Sequence, residues 1–147
     1  MTCNRPIRIL VVVVCGLAGC GALSPPKAGE TLTDSVRSFN DGVRWERYAV
    51  AATYLPPAQR SQFVDDWDQR ANDLKVTDSE VVKVDRRGAT EARVQVKLSW
   101  YKSSEGTLHE THALQTWERH GKDWLLVDEA RLRGTEMPGL PEPMMKE

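Results

Sequence analysis

Ala92, Val94, Val96, Leu98 and Trp100 alternate without a break with Arg93, Gln95, Lys97, Ser99 and Tyr101. Side chains on a strand point to opposite faces in turn, so this stretch is a strand with one apolar face and one wet face. Such a sheet needs a cover on its apolar side only, which selects an antiparallel sheet packed against helices. The neighbouring segments agree. Val76 to Asp85 reads as a strand with Val82 and Val84 on one face, and Arg86-Arg87-Gly88 ends it. Ser103-Ser104-Glu105-Gly106 and His120-Gly121-Lys122-Asp123 are short turns, so the strands 107–119 and 124–132 are expected to follow as hairpins.

The cover is supplied upstream. Leu32, Val36, Phe39 and Val43 recur at helical spacing, and Asn40-Asp41-Gly42 is expected to interrupt that helix. A second stripe runs through Trp45, Ala49, Ala52 and Leu55 with Tyr48 at its edge, and Pro56-Pro57 ends it. Pro57 then opens a third helix with Phe63, Val64, Trp67, Ala71 and Leu74 inward. The expected fold class is therefore α+β: three N-terminal helices on a curved antiparallel sheet of about four strands, spanning 31–133. Residues 134–147, with Pro138, Gly139, Pro141 and Pro143 and little apolar periodicity, are expected to form a disordered tail.

The first thirty residues have a different character. Arg5 and Arg8 precede an apolar run from Ile9 to Gly19, which is the order of a secretory signal. Eleven apolar residues fall short of the roughly 20 that span a bilayer as a helix. Leu17-Ala18-Gly19-Cys20 resembles the lipobox of bacterial lipoproteins, an aliphatic residue and two small ones before a cysteine. The resemblance implies removal of 1–19, a lipid on Cys20 and, through it, the membrane as a partner. Two or three acyl chains, each contributing about 0.8 kcal/mol per buried methylene, would make the anchor stable. Gly21 to Glu30 then reads as a tether, about 30 Å long if extended. In enteric lipoproteins an Asp after the cysteine retains the protein in the inner membrane. Gly21 points instead to the outer membrane, with the inner membrane as the alternative and the domain facing the periplasm in either case.

Cleavage before Cys20 removes Cys3, Cys15, Arg5 and Arg8, so acidic side chains exceed basic ones by three in the remainder. Thiol chemistry is excluded on that reading, and so is the basic footprint of a nucleic-acid binder. His109 and His112 lie three apart on a strand and so cannot converge on one metal. Asp65-Asp66-x-Asp68 lacks the glycine and distal glutamate of a calcium loop and sits in a helical pattern. No metal or cofactor is expected. The five tryptophans, Trp45, Trp67, Trp100, Trp117 and Trp124, fall on apolar stripes and are expected in the core.

Three helices followed by a meander with Gln115-Thr116-Trp117, a glycine turn and Trp124-Leu125-Leu126 resemble the nuclear transport factor 2-like, cone-shaped superfamily. Enzymes of that superfamily place an acid or base and hydrogen-bonding tyrosines in the mouth of the cone. By that resemblance the candidate catalytic residues are Tyr48, Tyr54, His109 and Asp128. His109 is taken inward by parity with Trp117, and Asp128 by parity with Trp124, Leu126, Ala130 and Leu132. The superfamily is functionally broad. The reading drawn from the sequence is a monomeric, non-enzymatic envelope lipoprotein that binds or braces an envelope protein. The alternatives are a binder of small apolar ligands and a lyase or isomerase that uses the cone pocket.

Overall fold

The computed structural model describes residues 30–143. The signal sequence, Cys20 and the tether before Glu30 lie outside the described residues, as do 144–147. Three helices, α1 (Leu32–Arg44), α2 (Tyr48–Ala52) and α3 (Arg60–Arg70), precede four strands. These are β1 (Leu74–Arg87), β2 (Glu91–Lys102), β3 (Leu108–His120) and β4 (Asp123–Gly134), antiparallel in the order β1-β2-β3-β4. The α+β class read from the sequence is the observed one. Among the described residues no helix is long and apolar enough to cross a membrane.

Thr31 caps α1, its hydroxyl accepting from Asp34 N at 3.2 Å. Leu32, Val36, Phe39 and Val43 are buried as their spacing requires. The expected break at Asn40-Asp41-Gly42 does not occur, because tertiary contacts use those residues inside the helix. Asn40 Nδ2 donates to Val36 O at 2.7 Å, and Gly42 lets α2 come close: a Cβ there would lie 2.9 Å from Ala51 Cβ. The helix stops instead at Trp45, where Glu46 turns the chain with a φ of 54°. That turn rotates the following stripe. Trp45 is 62% exposed and Ala49 is exposed, while Tyr48, Ala51, Ala52 and Leu55 face the core. Trp45 is therefore a correction to the expected all-core set of tryptophans. Pro57 opens a single 3-10 turn, Pro57–Gln59, that leads into α3.

The two central strands pair without irregularity, and Ala92, Val94, Val96, Leu98 and Trp100 are buried under α1 and the other helices. Both outer strands carry two bulges each against their partners, at Thr77 and Val82 in β1 and at Val127 and Leu132 in β4. An extra residue on an outer strand bends it and increases the twist, which curves the sheet around the helices. It also reverses the parity of everything beyond it.

The segment after β4 differs from the disordered tail expected for 134–147. Met137 is only 3% exposed, within the core cluster, and Leu140 packs against that cluster. Leu140 N donates to Met137 O at 3.1 Å, and Arg131 N donates to Pro141 O at 2.7 Å. The Arg131 guanidinium grips Glu142 through Nε and Nη2, each 2.6 Å from a carboxylate oxygen. Two apolar residues three apart carry no period that a sequence reading can detect, yet they anchor residues 137–142 as a strap along the domain.

Candidate functional site

A hollow of about 370 Å³ opens between α3, the sheet and the strap. Its apolar walls come from Phe39 and Val43 of α1, Phe63 and Trp67 of α3, and Leu126 of β4, with Met137 closing one side. Two carboxylates of β4, Asp128 and Glu129, and the Asp66–Arg70 pair of α3 supply its charges. The strap continues the wall at Gly139, which lies against the Arg70 guanidinium. Gly139 has a φ of +84°, a backbone conformation that calls for glycine.

Glu129 is the inward carboxylate, and the bulge at Val127 explains why. Trp124 and Leu126 are buried on even parity, but beyond Val127 the register pairs Glu129 with Gln115 and Arg131 with Ala113, both on the inner face of β3. Asp128 pairs with Thr116 and is exposed at the rim of the hollow. The inward placement expected for Asp128 is thus corrected: the extra residue moves it out by one and moves Glu129 in.

Gln115, 0% exposed, sits behind Glu129 at the centre of a chain of hydrogen bonds. Indole N–H is a donor only, so Trp117 Nε1, 3.2 Å away, fixes the Gln115 carbonyl toward itself. The Gln115 amide must then turn the other way, where Nε2 donates to Asn40 Oδ1 at 3.0 Å and to Glu129 Oε1 at 2.8 Å. Asn40 is oriented in turn by its bond to Val36 O. The amide behind Glu129 is therefore held as a donor by groups that cannot reverse their roles.

Burial pushes the Glu129 carboxyl above its ordinary range, the Gln115 hydrogen bond partly offsets this, and the nearby Asp128 charge adds to the rise. Arg131 shares the inner parity but does not neutralise Glu129. Its Nε and Nη2 hold Glu142, and its Nη1 donates to Gly134 O at 2.8 Å.

Of the residues proposed from the sequence, only Asp128 lines this hollow. Tyr48 is buried on the far side of Trp67, stacked at 5.5 Å between ring centroids, and its hydroxyl is pushed up to about 12 by burial and by the Glu46 and Asp68 charges. Tyr54 donates to the Glu30 carboxylate at 3.0 Å, beside a separate cleft formed with Asp123 and Trp124. Burial raises its hydroxyl as well. His109 does share the inner face, but it lies near the start of β3, its ring 4.6 Å from that of Trp100 and its Nε2 3.7 Å from Glu105. His112 points to the other face, opposite Lys97. The structure does not bring these candidates together. Glu129, Gln115 and Asn40 were missed, although a polar Gln115 between the inward Ala113 and Trp117 signals a buried hydrogen-bonding partner.

No protein-family model matches the chain, and no curated protein sequence matches it. Among solved structures, a SEC-C motif containing protein from Rhodopseudomonas palustris is similar over 68% of this chain and 77% of its own, at 12% identity and a TM-score of 0.59. A conserved protein from Planctomyces limnophilus aligns over 67% of this chain and 92% of its own, at 12% identity and a TM-score of 0.49. An NTF2-like protein of unknown function from Prochlorococcus marinus aligns over 74% and 97%, also at 12% identity and 0.49. The first of these shows a shared fold.

Proposed function

We propose that this chain is a lipid-anchored bacterial envelope protein whose cone-shaped, nuclear transport factor 2-like domain captures a small molecule with an apolar body and a polar head. The hollow carries the reading: about 370 Å³, apolar walls, and at Glu129 one carboxylate backed by a fixed amide. Ligand sites have this make-up, a mostly apolar concavity with a few oriented polar groups. It favours ligand capture over the bracing of an envelope protein. The anchor part rests on the signal-like order of 1–19 and the lipobox-like Leu17-Ala18-Gly19-Cys20, and Gly21 supports the outer membrane, periplasmic side.

The test is isothermal titration of the full chain in phosphatidylcholine nanodiscs with 4-phenylbutanol, with empty nanodiscs as control. Saturable heat is expected, and Gln62→Trp should abolish it, because Gln62 is an exposed residue of α3 that lines the hollow. Heat no greater than that of empty discs would end the reading.

A second reading is favoured by one observation, the upward shift of a carboxyl facing an apolar hollow. Such a group can exchange a proton with carbon next to a carbonyl. Deuterium uptake at that carbon, lost in Glu129→Gln, is its test.

A further inference from the structure

The charges around the hollow are unbalanced. Arg70 lies 3.7 Å from Asp66 and 5.7 Å from the centroid of the Trp67 ring, so the charges contributed by α3 offset one another. On β4, Asp128 and Glu129 adjoin the hollow with no ion pair among the described residues, while the nearest cation of that strand, Arg131, is committed to Glu142 and Gly134 O. α1 contributes Asn40, and β3 contributes Gln115, both uncharged. Glu129 Oε1 accepts from Gln115, and Oε2 has no protein donor among the described residues. The rest of the lining is phenyl, indole and aliphatic surface together with the neutral amides of Asn40, Gln59 and Gln62.

From this arrangement we infer that the hollow takes an organic monocation, an amine or quaternary ammonium carried on an aromatic or aliphatic body. This deepens the pocket reading above and rests on it. A cation head supplies what the site lacks: a counter-charge for Asp128, a charge that favours the ionised form of Glu129 against its burial, and a donor for the free oxygen. An anionic head would meet the like charge of Asp128 at the rim and would oppose ionisation of Glu129 further inside. A neutral hydroxyl satisfies one oxygen and leaves the charge imbalance in place. The apolar body occupies the space against Phe63 and Leu126 in every case, so the head group alone separates these ligands.

A matched series tests the inference at pH 7.5 with the full chain in phosphatidylcholine nanodiscs: 4-phenylbutylamine, its trimethylammonium analogue, 4-phenylbutanol and 4-phenylbutyrate. Both cations are expected to bind about tenfold or more tightly than the alcohol, and the carboxylate more weakly than the alcohol. Glu129→Gln keeps the shape of the site and an oxygen facing Gln115, and it should narrow the preference for cation over alcohol to about threefold or less. Asp128→Asn, at an exposed rim position, should narrow it partly and keeps the test available if the first variant folds poorly. Equal binding of amine and alcohol overturns the cation inference while the pocket reading stands. A preference unchanged by both substitutions also overturns it, and binding of none of the four ends both readings.

Discussion

Gln115 is held between two residues it cannot satisfy in any other orientation: Trp117 Nε1 donates to its carbonyl at 3.2 Å, and its amide donates to Glu129 at 2.8 Å. Replacing it by methionine keeps the volume but leaves the Trp117 N–H and Asn40 Oδ1 without that partner. An unsatisfied buried polar group costs about 1 to 3 kcal/mol, so Gln115→Met should lose about 2 to 3 kcal/mol in urea unfolding. Losing that donor should also move the Glu129 carboxyl higher still, which carboxyl carbon chemical shifts would report.

Glu129 makes the domain sensitive to pH in a defined direction. Its folded-state carboxyl lies above the ordinary 4.5, so the native state holds the proton more tightly than the unfolded chain. The associated stability is fully present below pH 4.5 and is lost as pH rises through the folded-state titration. Glu129→Gln should therefore match the parent at pH 4 and exceed it at pH 7.5. Thermal unfolding across that range, with a pH-independent difference as the contrary result, is the check.

The strap should behave as a structured part of the domain. Met137→Ala removes a buried side chain at the edge of a hollow, and the loss should be about 2 kcal/mol, at the low end for such changes because the site can collapse. Glu142→Gln breaks the pairing with Arg131 in exposed surroundings. Its effect should be local, with faster hydrogen exchange at 137–142 and little change in global unfolding.

Gly42→Ala separates helix propensity from packing. In an isolated helix the change gains about 1 kcal/mol, but here the new methyl would lie 2.9 Å from Ala51 Cβ. Overpacking costs about 1 to 3 kcal/mol, so a net destabilisation is expected. A raised melting temperature would show that α1 and α2 separate more readily than their contacts indicate.

Cys20→Ala should abolish fatty-acid labelling in cells and release the chain from the membrane fraction. Persistence of both in that variant would remove the anchor from the proposal.

What could be read from the sequence follows burial on one face. β2 was legible because the extra residues opposite it lie on β1 and none lies on β2 itself, so Ala92 to Trp100 never leave their period. α1 was legible through Leu32 to Val43 but was cut short on paper, because Asn, Asp and Gly punctuate a chain only when no partner claims them. Gln115 and Ala51 claim Asn40 and Gly42. The hollow was not legible. Its inward acid depends on the single inserted residue Val127, whose only trace is the apolar run Leu125-Leu126-Val127 where alternation should have continued. Its far wall is Met137, isolated among prolines and glycines.

The bulge at Val127 has an evolutionary corollary. Taking that residue into the ladder would shift the frame of the strand beyond it, presenting Asp128 and Ala130 to the interior in place of Glu129 and Arg131, whereas deleting it would leave Glu129 opposite Gln115. A relative that straightened this strand could thus exchange the chemistry of its binding chamber and unfasten its C-terminal clasp with no amino-acid replacement at any position that contacts a guest.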